Sequence, residues 1–269
     1  MIANKRVRWL SALLFSITSA TVSAASLKEV AEAVKTQDYK TALEQLEVLA
    51  KQEHPEAEFL LGMMYQYGRG VDQNFQTAAD WFRRSANKGN NAAQTNLALI
   101  LISGKLGKPD FKEAVSLLTK AAETGNPIAM YNLGLRYSKG EGVQKDPVKA
   151  VELYKKAAEL NNAFAQYNLA YSYATGEGVT ADNVEALRWA HASAQQKFGQ
   201  AIVFYNFLAS KATPEEIQKG DEVLAAWAKE KGIEVQPVPK VELQNNVGAE
   251  GAAAAPAEGA APAAAEPAK

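Results

Sequence analysis

The chain has 269 residues, of which 29 are basic and 30 acidic, giving a formal net charge of −1, and it contains no cysteine. A near-neutral balance without a basic run argues against nucleic acid or an acidic membrane surface as the main partner. The missing cysteines exclude a disulfide framework and a lipid-anchor thiol, so stability must come from packing alone.

At the N-terminus Lys5, Arg6 and Arg8 precede an apolar stretch from Trp9 to Ile17, and Val22, Ser23 and Ala24 supply the small residues of a cleavage site. This is the order of a secretory signal, and its apolar run is too short to act as a stable membrane anchor. The expectation is that residues 1–24 are removed on export. All 30 acidic residues stay while Lys5, Arg6 and Arg8 are lost from the 29 basic ones, which leaves the exported chain at about −4. A periplasmic destination follows, with secretion beyond the outer membrane left open.

Residues 25–233 read as one helical array. Ser26 to Glu29 has the form of a capping box, and Leu27, Val30, Ala31 and Val34 give the helix behind it one apolar face. This helix pairs with one opening at Asp38 to make a half repeat over 26–54.

From there a 36-residue period takes over: Gly62 to Val71 recurs as Gly134 to Val143 and as Ala170 to Val179. Self-similarity at this spacing marks a stack of helix pairs, each burying its apolar face against its neighbours. Full repeats cover about 57–197. Within each, Ala57, Ala93, Ala129 and Ala165 share one position, and Leu61, Leu97, Leu133 and Leu169 follow four residues later. Tyr65, Leu101, Tyr137 and Tyr173 come four residues after those and complete the stripe of a first helix, helix A. Gly62, Ala98, Gly134 and Ala170 are small enough for a neighbouring helix to come close. Gly68, Gly140 and Gly176 fall where the helix ends in a left-handed residue. Asp38, Asn74, Asp110, Asp146 and Asp182 are then N-caps of a second helix, helix B, and Pro147 suits its first position. In helix B, Ala42, Ala78, Ala114, Ala150 and Ala186 keep register with Ala50, Ala86, Ala122, Ala158 and Ala194. Trp81, Phe82, Leu117, Leu118, Leu153, Tyr154 and Trp189 fill the space between layers as core.

The run from Ala129 through Leu133, Gly134, Tyr137, Gly140, Gly142, Asp146 and Ala150 to Tyr154, Ala157 and Ala158 resembles the Sel1-like repeat family, a relative of the tetratricopeptide repeat. The resemblance implies an all-α solenoid of antiparallel helix pairs wound as a right-handed superhelix. It also implies a role as an adaptor in bacterial envelope assembly, signalling or host interaction. The second repeat departs from the pattern, with Ala98 for glycine and Gly104-Lys105-Leu106-Gly107 for the Gly-x-Gly-Val turn, so its turn should differ locally while the stack continues. The cysteine pairs of some family members are absent.

Beyond the repeats, Ala201 to Ala209 forms a last first-type helix. Thr213 to Glu216 is a capping box that starts a helix to about Lys231, ended by Gly232. Ile217, Val223, Leu224 and Trp227 give this helix one apolar face, so that helices over 200–232 cap the open end of the stack. Residues 234–269, rich in Ala, Pro, Glu and Gly, hold too few large apolar side chains to offset ordering entropy and read as a disordered tail.

Chemistry has little to work with. His54 and His191 are more than three repeats apart, and the pairing of His54 with Glu58 lacks the three or four ligands a metal normally takes. No nucleophile triad, phosphate loop or paired-carboxylate motif stands out, so the expectation is a protein with no enzymatic activity, no cofactor and no metal. The better candidate is the surface of the first helices, where Phe59, Met63, Tyr131, Leu135, Tyr167 and Tyr171 either line a groove that anchors a protein or peptide segment or pack into the core. Asn132 and Asn168 either hold an extended ligand or satisfy helix carbonyls. The reading is an exported scaffold that holds an envelope partner as adaptor or regulator; the alternatives are a chaperone-like holder of exported chains and a cell-wall enzyme.

Overall fold

The computed structural model describes residues 27–241; the signal segment, Ser26 of the first capping box and the tail beyond 241 lie outside the described residues. Among the described residues there are twelve helices and no strand. They are α1 (27–35), α2 (Tyr39–Lys51), α3 (Pro55–Tyr67), α4 (Phe75–Asn87), α5 (Asn91–Ile102), α6 (Phe111–Glu123), α7 (Pro127–Lys139), α8 (Pro147–Glu159), α9 (Ala163–Thr175), α10 (Asn183–Gln195), α11 (Gly199–Ala209) and α12 (Pro214–Lys231). The chain forms two compact units that divide after Ile100.

In the first unit α1, α2 and α3 close around Val30, Leu46, Leu49, Ala57 and Leu61, each at most 1% exposed. Helices α3 and α4 then pair tightly. Gly62 faces the Phe82 ring, where a Cβ would come within 2.5 Å of the ring carbons, which is why this position of helix A is small. Glu58, fully buried, lies 2.8 and 2.9 Å from Lys88 Nζ and 3.0 Å from Arg84 Nε. His54 lies 3.2 Å from Glu56, and Glu58, four residues on, turns to the cations instead. Buried carboxylates take the partner that neutralises them, and two cations, Arg84 on α4 and Lys88 at its C-terminal cap, are within reach.

The second unit repeats the design through α7 with α8 and α9 with α10, a solenoid of antiparallel helix pairs. Each helix B opens on its expected acceptor, Asp110, Asp146 and Asp182 receiving an amide from the first turn, as Asp38 and Asn74 do in the first unit. One backbone bond closes every turn between helices A and B: the amides of Asn74, Asp110, Asp146 and Asp182 donate to the carbonyls of Tyr65, Leu101, Tyr137 and Tyr173. The second repeat keeps this bond despite its altered Gly104 to Gly107 turn, because the loop length is unchanged. The Gly-x-Gly turn also ties one repeat to the one before. Gly142, at φ +73°, lies over the Phe111 carbonyl at the start of α6, and Gly178, at φ +76°, lies over that of Pro147 at the start of α8. Only glycine offers both the left-handed backbone and the clearance.

At the C-terminal end the two expected helices, α11 and α12, both pack on α10, the last helix of the repeats. Helix α12, with its Thr213 and Glu216 capping box formed and Gly232 left-handed, packs along α10 through Trp227 against Trp189 at 5.6 Å and Gly220 against Leu187. Residues 234–241, expected to begin the tail, lie against the second unit's core, with Ile233, Val235 and Val238 packed on it. Three aliphatic side chains are enough to seat a short segment that composition alone assigns to the tail.

Candidate functional site

The expected groove residues divide by burial. Tyr131 is 3% and Tyr167 1% exposed, so both rings are packed into the core and show almost no surface to solvent. Helix A's register turns Tyr131 toward Tyr154 and Phe164, with ring centroids 6.2 and 5.7 Å away, and Tyr167 toward Phe198 and Phe204, each 5.4 Å away. A row of rings thus links successive helix pairs. Burial first, then the neighbouring Tyr171, pushes the Tyr167 phenol up to about 12. Burial also raises Tyr154, which Tyr131 reinforces and a hydrogen bond with Ser138 opposes.

The asparagines are structural. Asn132 and Asn168 each donate to a carbonyl one turn earlier, that of Ile128 and that of Phe164, at 2.8 Å, as Asn96 does to Ala92 at 2.9 Å. These amides satisfy helix A near its start. Sequence reading missed the caps just before them: Asn90, Asn126 and Asn162 accept amides of the first turns of α5, α7 and α9. Their period was visible and could have been found.

Four of the expected residues nonetheless meet at one place. Leu135, Tyr167, Asn168 and Tyr171 line a cleft of about 220 Å³ between α7, α8 and α9, with Tyr154 in its wall and Lys139 and Glu177 among its polar lining. Tyr171 is half-buried. Ser138, Pro147, Ala150 and Ser172 complete the lining. Of these, Pro147 and Ala150 come from helix B, as Tyr154 does, and a reading of helix A alone could not place them. Tyr131 and Asn132 are outside the cleft, and Phe59 and Met63, half-buried on α3, belong to the first unit.

The cleft pairs an apolar floor with a lysine and a carboxylate. It is smaller than the roughly 300–1,000 Å³ typical of small-molecule sites and suits one or two side chains of a larger partner. Among the described residues no three His, Asp or Glu side chains gather as a metal would require.

The repeats at residues 55–90, 91–126, 127–162 and 163–198 match the model of the Sel1 repeat. Among solved structures, a Sel1 repeat protein from Oxalobacter formigenes is 29% identical, with 80% of this chain and 93% of that one covered and a TM-score of 0.65. A protective antigen of uropathogenic Escherichia coli strains that displays an SLR fold is also 29% identical at a TM-score of 0.65; the match covers 76% of this chain and spans only 46% of that one. No curated protein matches the chain.

Proposed function

The chain belongs to the Sel1 repeat family, whose members are generally non-catalytic protein–protein interaction scaffolds, and we propose that it is an exported adaptor or regulator that holds a protein or peptide segment of the cell envelope. Among the described residues no helix is long and apolar enough to cross a membrane. The signal-like residues 1–24 support export, and a periplasmic location accords with them. The observation that carries the binding role is the cleft of α7, α8 and α9, where Leu135, Tyr167 and Tyr171 form an apolar seat beside Lys139 and Glu177. Such a seat takes an anchor side chain from a partner, while the charges fix its orientation.

A photo-crosslinking residue at Tyr171, compared with one at exposed Glu152 on α8, tests this in the native envelope. The adaptor reading expects one discrete crosslinked protein from position 171 and none from 152. No crosslink from 171, or the same proteins from both positions, overturns the cleft as a docking site. Cell fractionation tests export: a cytoplasmic protein with residues 1–24 still attached overturns the location.

A further inference from the structure

A second surface, separate from the cleft, is already filled by the chain itself. The helix A position held by Gly62, Ala98, Gly134 and Ala170 recurs in α11 as Asn206. At Gly62 and Gly134 an aromatic ring of helix B closes on the glycine. At Asn206 the side-chain amide donates at 3.0 Å to the Pro239 carbonyl, while α12 lies along α10. The extended residues 233–241 therefore reach a flank that a ring from helix B takes in those repeats.

This segment is gripped mainly by its backbone. The Gln195 side chain makes a two-point clasp with Gln236, its carbonyl accepting the Gln236 amide at 2.8 Å and its amide donating to the Gln236 carbonyl. The same carbonyl lies 2.9 Å from Nε2 of the buried His191, whose Nδ1 is 2.8 Å from Asp221. Along the segment Ile233, Val235 and Val238 are half-buried against the core, while Glu234, Gln236 and Lys240 are exposed. Recognition of main-chain groups at two points, with aliphatic side chains turned to the core and prolines that favour an extended backbone, is how grooves capture peptides.

We infer that the groove formed by α10 and α11 is a docking site for an extended aliphatic-x-aliphatic segment followed by Pro-aliphatic-Pro, and that residues 233–241 are its intramolecular occupant. The segment is joined directly to α12, so it competes at an effective concentration on the order of millimolar. A partner segment of the same chemistry enters when the chain's own segment is displaced. This inference does not rest on the cleft, and its failure leaves that reading untouched.

The test uses the full chain and a labelled synthetic peptide of residues 233–241. Val235→Asp with Val238→Asp unseats the chain's own segment; both valines are only half-buried, and circular dichroism checks that the helices are retained. The peptide is expected to bind this variant saturably, and to bind the wild-type chain at least about tenfold more weakly because the site is filled. Adding Gln195→Ala and Asn206→Ala to the open variant, with helical content again matched, should weaken the peptide at least about tenfold by removing the clasp. Absence of binding to the open variant overturns the inference, and so does equal affinity for the wild-type chain or an unchanged affinity after loss of Gln195 and Asn206.

Discussion

Gly142 stands directly over the Phe111 carbonyl: a Cβ on it would lie 2.4 Å from that oxygen, in a backbone at φ +73°. Alanine there adds left-handed strain to a clash with backbone, so Gly142→Ala should cost about 2–4 kcal/mol. Gly125 has φ +90° with nothing near its missing Cβ, and Gly125→Ala should lose only the strain, about 1–2 kcal/mol. Urea unfolding of the two variants separates the terms, and equal losses would show that the contact between repeats is not tight.

Glu58 is fully buried between Lys88 and Arg84, yet its counterparts one and three periods on are Gln94 and Gln166. Those glutamines donate to the carbonyls of Ala86 and Ala158. The corresponding acceptor for position 58 is the Ala50 carbonyl, and the two cations released are partly exposed already. Glu58→Gln should therefore cost no more than about 1 kcal/mol, whereas Glu58→Ala leaves a cavity and costs about 2–3 kcal/mol. Thermal unfolding of both variants checks the order, and a glutamine as damaging as the alanine would contradict it.

Lys197 ends the stretch after α10 at φ +60°, where the first and second repeats have Gly89 and Gly125. A lysine in the left-handed region carries strain that glycine lacks, partly offset by glycine's greater freedom in the unfolded chain. Lys197→Gly is expected to stabilise the protein by about 0.5–1 kcal/mol. A lower melting temperature would refute this.

The buried Tyr167 phenol is raised to about 12, by burial first and then by Tyr171. Unfolded tyrosine ionises near 10, so this group's contribution is fully present below about pH 10 and is lost as the pH rises toward 12. Tyr167→Phe removes the ionisable group and should move the alkaline unfolding midpoint upward. An unchanged midpoint would mean that the Tyr167 phenol is solvated and not buried.

The period of the chain revealed the helix pairs, the caps at Asp38, Asn74, Asp110, Asp146 and Asp182, and the close approach at Gly62 and Gly134. Each depends on residues within one repeat, where spacing alone fixes which side chains share a face. The groove was less legible. Tyr131 and Tyr167 sit on the expected helices, but their exposure depends on Phe164, Phe198 and Phe204 in the next helix pair, which no local pattern specifies.

Sequence by itself determined the repeat, the fold class and the glycine turns, because backbone sterics and helical periodicity are local constraints. The tertiary structure decided that Leu135, Tyr167, Asn168 and Tyr171 meet residues of α8 in one cleft, and that α12 follows α10 while residues 233–241 reach Asn206. These outcomes turn on which buried surfaces find each other across 30 or more residues. Packing between elements is chosen by the total area and hydrogen bonds satisfied, and a one-dimensional pattern does not rank the alternatives.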